Sequence, residues 1–107
     1  MVRTELYFGL ARPDGGQVSE AEFSDFMYDV ISGDLPEGFT LFDAYGQFMQ
    51  ADGVMLKEKT KMLIFFHQEN NAESAAIEDV VSSYRERFGG AKVMRSTSVA
   101  DVRFYVD

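Results

Sequence analysis

The chain has 107 residues, 46% of them hydrophobic, a length that supports one domain with one core. Its 18 acidic and 10 basic residues give a net charge of −8, which argues against nucleic-acid partners and anionic membrane surfaces. The absence of cysteine excludes disulfides and thiolate sites, and one histidine excludes a multi-histidine site within one chain. We therefore expect no metal and no cofactor.

The sequence also bears on location. No apolar run approaches the ~20 residues that a membrane-spanning helix needs. The opening stretch, MVRTELYF, lacks the basic and apolar regions of a signal peptide. These features predict a soluble, cytoplasmic protein with a single domain over residues 1–107 and no membrane partner.

The first third of the chain predicts a strand and a helix. Residues 2–10 alternate, with Val2, Leu6 and Phe8 on the same face, as in a half-buried strand. A turn-rich loop follows at residues 11–17. Ser19-Glu-Ala-Glu22 is a capping-box pattern. It predicts a helix near residues 20–32, whose apolar stripe is Phe23, Phe26, Met27, Val30 and Ile31.

The middle of the chain predicts a long β-hairpin over residues 39–67 with its turn at residues 51–53. A two-residue loop would place Asp43 opposite Met62. A three-residue loop that ends on a left-handed glycine would place Asp43 opposite Lys61. We favour the second register because it pairs opposite charges across the strands.

The last third predicts a second helix and a strand. Asn70 or Asn71 is a suitable N-cap for a helix over residues 72–88, and Gly89-Gly90 ends it. The stretch 92–106 alternates in two parts, separated by a polar segment at residues 96–101. We expect one interrupted strand or two short strands there.

This order of elements, βαββαβ, is the α+β ferredoxin-like plan, a four-stranded antiparallel sheet with two helices on one face. The strands are then ordered fourth, first, third, second. The face that meets the helices is predicted to carry Leu6, Phe8, Phe42, Ala44, Phe48, Met62, Ile64 and Phe66. The open face is predicted to carry Glu5, Tyr7, Phe39, Leu41, Asp43, Tyr45, Gln47, Lys61, Leu63, Phe65 and His67.

The open face suggests assembly. It combines charged side chains with four aromatic residues and two leucines, and large exposed apolar patches usually mark an interface. Our first hypothesis is a binding or assembly module that forms a homodimer through this face, because a two-fold pair is the commonest closed assembly.

The alternative hypothesis is a small-molecule binder or small enzyme with a polar site on the open sheet face, built from Asp43, Tyr45, Lys61 and His67. Asp43 and Lys61 would equally form an ordinary cross-strand ion pair, and His67 a hydrogen-bonding surface residue. A third hypothesis, base stacking on exposed aromatics as in RNA-recognition domains, is disfavoured by the net charge. Whether the protein is an enzyme, and which side chain would be catalytic, stays open.

Two segments resemble the signatures of a bacterial family called domain of unknown function 3574. They are Leu6-Tyr-Phe-Gly-Leu10 with Arg12-Pro-Asp-Gly-Gly-Gln-Val-Ser19, and Phe42-Asp-Ala-Tyr-Gly-Gln47. The resemblance covers roughly residues 4–104, implies a fold unit and no reaction, and includes relatives that are exported. A tryptophan is common in the family where this chain has Phe48. With the polar residues discussed above, the resemblance gives these candidate ligand-binding residues: Tyr7, Arg12, Asp14, Asp43, Tyr45, Gln47, Lys61 and His67.

Overall fold

A computed structural model describes residues 1–106. Strand β1 is Val2–Gly9, β2 is Thr40–Met49, β3 is Met55–His67 and β4 is Val93–Val99. Helix α1 covers residues 20–34, and helix α2 is Asn71–Arg87. The four strands form one antiparallel sheet in the order β2-β3-β1-β4, so the predicted α+β architecture and strand order are confirmed.

The hairpin has the register that charge pairing predicted. Asp43 lies opposite Lys61, and the ladder continues to Met49 opposite Met55. The backbone N–H of Gly53 donates to the carbonyl of Gln50 at 3.0 Å. Gly53 has a φ of 83°, which a residue with a side chain rarely adopts. The left-handed glycine therefore sets the three-residue loop and, with it, the register.

Helix α1 begins at the predicted capping box. The Ser19 hydroxyl accepts from the Glu22 N–H at 3.1 Å, and the Glu22 carboxylate accepts from the Ser19 N–H at 3.0 Å. The helix is α-helical over Glu20–Phe26, π-helical over Met27–Ile31, and ends with one turn at Ser32–Asp34. It thus runs through Gly33, two residues beyond the predicted end. Helix α2 begins after Asn70, one of the two predicted N-caps, whose side chain accepts from the Glu73 N–H at 2.8 Å.

The core lies between the sheet and the two helices. Its centre is an aromatic cluster in which Phe8 of β1 lies 5.5 Å from Phe23 and 4.8 Å from Tyr84, measured between ring centroids. These three rings are at most 2% exposed. The Tyr84 hydroxyl donates to the carbonyl of Gly9 at 2.7 Å, which satisfies its one polar group in this apolar setting.

The predicted faces of β2 and β3 are wrong, whereas the predicted face of β1 is right. Leu6 of β1 is buried and lies opposite Leu63 of β3, which places Leu63 on the helix-covered side. Lys61, Phe65 and His67 share this side and are 4–5% exposed. The set Met62, Ile64 and Phe66 is wholly apolar, whereas the buried set includes Lys61 and His67, so the alternation of β3 favoured the wrong face. The pairing with β1 decides the face.

The end of the chain also differs from the prediction. Strand β4 runs without a break through the polar residues 96–98, and residues 100–106 belong to no helix or strand. The last polar residues of β4 are tolerated because they lie on an edge strand, next to β1 alone. We call residues 100–106 the tail. It leaves the sheet where the Ala100 N–H donates to the carbonyl of Met1 at 3.0 Å.

The buried hydrogen bond of Tyr84 can be tested by Tyr84→Phe. This change leaves the Gly9 carbonyl without its donor in the core, so we expect the free energy of unfolding to fall by about 1–3 kcal/mol. Urea denaturation measures it, with Tyr28→Phe at an 83% exposed position as the control. Equal stability of the two variants would contradict this role of the hydroxyl.

Candidate functional site

The main polar centre is built around the buried ammonium group of Lys61. Its Nζ donates to both carboxylate oxygens of Glu20, at 2.9 and 2.8 Å, and to Oδ1 of Asp43. The Lys61 side chain is 6% exposed, whereas the side chains of Glu20 and Asp43 are 80% and 84% exposed. Nζ also lies 5.8 Å from the centre of the Phe23 ring. A fixed cation thus holds two solvent-facing carboxylates where α1 begins beside the hairpin.

The charge state of Lys61 limits its chemistry. Burial lowers the pKa of the ammonium group, but the hydrogen bonds of Asp43 and Glu20 more than compensate, so the pKa lies above its ordinary value. Lys61 therefore stays protonated at neutral pH. It can position carboxylates or balance their charge, but it cannot accept a proton as a general base.

The neighbours of this centre form an open cavity of about 430 Å³. Tyr45 donates its hydroxyl proton to Oε1 of Gln47 at 3.2 Å, and both side chains are exposed. The structure thus brings Asp43, Tyr45 and Lys61 together, but on the helix-covered side of the hairpin and not on the open face as predicted. The residues that line the cavity are Leu10, Glu20, Asp43, Ala44, Tyr45, Lys59 and Thr60. Glu20 was not among the residues that the sequence predicted for this site; its position next to Ser19 in the capping box was the available signal.

His67 lies apart from this centre, at the other end of β3. Nδ1 lies 2.8 Å from the carbonyl of Gln68, which can only accept, so Nδ1 carries the proton. Nε2 then accepts from the Thr4 hydroxyl at 2.7 Å. The ring stacks on Phe65 at 4.8 Å and is buried beneath the helices. With both nitrogens engaged, His67 is not part of the predicted open-face site.

Arg12 and Asp14 stabilise the loop that follows β1. The Arg12 guanidinium binds the Glu22 carboxylate at 3.1 Å and lies 3.6 Å from an Asp14 oxygen. It also lies 5.6 Å from the centre of the Phe88 ring, just beyond α2. Arg12 therefore connects the loop to the start of α1 and the end of α2, away from the Lys61 centre. This accounts for the first family signature in structural terms.

Tyr7 and Gly9, also in that signature, lie on the side of the sheet that the helices leave uncovered. The Tyr7 hydroxyl donates to Oε2 of Glu5 at 2.5 Å, and this hydrogen bond raises the pKa of Tyr7. A Cβ on Gly9 would lie 2.3 Å from a Glu58 oxygen, so glycine leaves room for the Glu58 carboxylate beside β1. Tyr7 is thus separated by the sheet from the Lys61 centre.

The open face is the side of the sheet that the helices leave uncovered, and it is apolar in composition. Its exposed large side chains are Phe42 (47%), Phe48 (42%), Phe66 (39%) and Met94 (57%), with Met62 and Ile64 partly exposed between them. Its charged residues form two oppositely charged pairs, Arg3 with Glu5 at 2.9 Å and Lys92 with Glu58 at 3.7 Å. An open sheet face with exposed apolar side chains is present, as the sequence predicted. However, β2 and β3 contribute to it the side chains that were predicted to meet the helices.

Comparisons with known proteins give a family and a fold. The model of the family described as "Protein of unknown function (DUF3574)" matches residues 3–104. The chain belongs to this family. No curated protein matches its sequence. No helix within residues 1–106 is long and apolar enough to cross a membrane.

Two similar solved structures are of a phage SAM lyase. The complex with S-methyl-5'-thioadenosine has a TM-score of 0.67 and 14% identity, covering 91% of this chain and 79% of the lyase chain. The apo state has a TM-score of 0.63, also at 14% identity, with coverages of 91% and 78%. At this identity the likeness shows that the fold is shared.

A second polar feature joins the two helices of this family member. Oδ2 of Asp34 is buried and has no hydrogen-bond donor among the described residues. Desolvation and the neighbouring Asp79 carboxylate raise the pKa of Asp34 from 3.8 to about 6. The two acids are therefore most stable when they share a proton.

This pair predicts a pH dependence of stability. Because the folded-state pKa is raised, the stabilising contribution of Asp34 is present below about pH 4 and is lost as the pH rises through about 6. Asp34→Asn should be more stable than the wild type by about 1 kcal/mol at pH 7.5 and similar to it at pH 4. Urea denaturation at both pH values measures this, and the exposed Asp25→Asn is the control. A gain that is equal at both pH values would contradict the shared proton.

Proposed function

We propose that this protein is an assembly module whose open face binds the open face of a second copy in a two-fold homodimer. The observation that supports it most is the exposure of Phe42, Phe66 and Met94 on the open face of a sheet that the helices cover on one side only. Burying such side chains removes apolar surface from water at about 25 cal/mol per Å².

The charge distribution favours a second copy as the partner. The chain carries a net charge of −8, but each of the two ion pairs on the open face has no net charge. Two copies can therefore meet through this face without bringing the excess acidic residues together. A strongly basic partner would gain little at the same surface, because the face offers no net negative charge.

The size of the face fits a stable pair. Four strands at ~4.8 Å spacing, with eight residues at ~3.4 Å rise, cover about 500 Å² in projection. Protruding side chains and the longer hairpin bring the accessible area closer to the ~800 Å² that each partner contributes to a standard interface. A two-fold axis then presents the same patch from both copies.

The dimer can be tested by placing like charges on the open face. Phe66→Glu combined with Met94→Glu would bring four new carboxylates together in the pair, so we expect the mass in solution to fall from twice the monomer mass to the monomer mass. Light scattering after size exclusion at micromolar concentration measures it, and circular dichroism checks folding. Tyr28→Glu, on the exposed surface of α1, is the matched control. A wild-type monomer would disprove the proposal.

A second candidate function is the binding of a small ligand at the cavity beside Lys61. The hypothesis of a small enzyme would place its site in the same cavity. The specific observation is that a buried cation fixes two exposed carboxylates next to Tyr45. The chain also shares its fold with a phage SAM lyase that binds S-methyl-5'-thioadenosine. We propose a ligand of that kind, with Tyr45 beside its ring and the carboxylates bound to its hydroxyl groups.

Calorimetric titration with S-methyl-5'-thioadenosine tests the second candidate. We expect binding that Asp43→Asn weakens at least tenfold, since a lost charge-assisted hydrogen bond costs roughly 1.5–3 kcal/mol. Tyr28→Phe, at an exposed position of α1 that does not line the cavity, should bind as the wild type does. Absence of heat at millimolar ligand, or equal binding by Asp43→Asn, would overturn this candidate and leave the dimer proposal unaffected.

A further inference from the structure

A cavity of about 440 Å³ lies at the end of the sheet where β1 stops. The pairing of β1 with β3 ends at Gly9, and its pairing with β4 ends at Phe8. Beyond these pairs the cavity is lined by the loop after β1, by β3, by α2 and by the start of β4, with an apolar wall of Leu56, Val81 and Val93. It shares no residue with the cavity beside Lys61. Apolar walls with a few polar groups are the usual form of a small-molecule site.

Arg85 provides a free positive charge in this cavity. It lies in the last turn of α2 and forms no ion pair within residues 1–106, whereas every other arginine of the chain does: Arg3, Arg12, Arg87, Arg95 and Arg103. A guanidinium group presents paired N–H donors that match the two oxygens of a carboxylate. Arg85 is therefore available to bind the carboxylate of a ligand.

Glu58 provides an acceptor that lacks a donor. Its side chain is 10% exposed, and the Lys92 ammonium group lies 3.7 Å from its carboxylate, which is too long for a hydrogen bond. No donor within residues 1–106 makes a hydrogen bond to this carboxylate. Leaving a largely buried carboxylate without a donor is unfavourable, so a hydroxyl group of a ligand would be stabilised there.

We propose that this cavity binds a small 2-hydroxy carboxylic acid with an apolar side chain. The carboxylate of the ligand binds the Arg85 guanidinium, its hydroxyl donates to Glu58, and its side chain packs against the apolar wall. One small molecule can contact both groups because β1 no longer separates the two sides of the sheet here, so Glu58 and Arg85 line the same cavity. The inference does not rest on the dimer, since all of these residues belong to one chain.

The charges favour a ligand with one negative charge and a neutral donor. Glu58 balances Lys92, and Glu22 binds Arg12 at 3.1 Å. The positive charge of Arg85 is then the surplus, which a single carboxylate neutralises. An α-amino acid would instead bring a second ammonium group beside Lys92, where like charges repel.

Calorimetric titration of the full chain with each enantiomer of mandelate tests the site, with phenylacetate as the analogue that lacks the hydroxyl. We expect one enantiomer to bind, and phenylacetate to bind at least tenfold more weakly, because it forms no hydrogen bond with the charged Glu58. Arg85→Gln should abolish the binding of both acids. Arg87→Gln is the matched control, since it removes a cation from the same turn of α2 but does not line the cavity.

Glu58→Met tests the acceptor, because it removes the carboxylate and keeps a side chain of similar length. Mandelate and phenylacetate should bind this variant equally, and circular dichroism checks that it folds. Absence of heat with both enantiomers at millimolar concentration, or unchanged binding by Arg85→Gln, would overturn the inference. Equal affinity of the wild type for mandelate and phenylacetate would also overturn it, and that comparison needs no variant.

Discussion

The packing of Phe8 against Phe23 and Tyr84 is the interaction on which the rest of the structure depends. It fixes which face of β1 meets the helices, because this ring lies at the centre of the aromatic cluster. The antiparallel register then places Leu63 beside Leu6 and so fixes the face of β3. Every later feature, including the buried Lys61 and the apolar open face, follows from this one choice of side.

The burial of Lys61 illustrates how the choice of side creates a polar centre. A lysine at this position must lie under α1, since Leu63 and Phe65 of the same alternating set form the core. An ammonium group is stable there only with anionic partners, and Glu20 and Asp43 provide them from two different elements. The centre therefore joins α1 to the hairpin, whether or not a ligand uses its exposed carboxylates.

The family signatures have structural explanations in this fold. Arg12 connects its loop to both helices, and Gly9 leaves room for the Glu58 carboxylate while its carbonyl accepts from Tyr84. Asp43 binds Lys61. These roles stabilise the framework of the fold. The surfaces available for function include the open face and the cavity beside Lys61.

The sequence by itself determined the order of elements, both helix N-caps, the hairpin register and the strand order. These depend on local signals, such as the Ser19 capping box, the left-handed Gly53 and the opposite charges of Asp43 and Lys61. Tertiary structure alone decided the faces of β2 and β3, since the wholly apolar set Met62, Ile64 and Phe66 lies on the open face and Lys61 and His67 are buried. It also decided that Glu20 joins the polar centre, because that contact connects residues 41 positions apart in the chain.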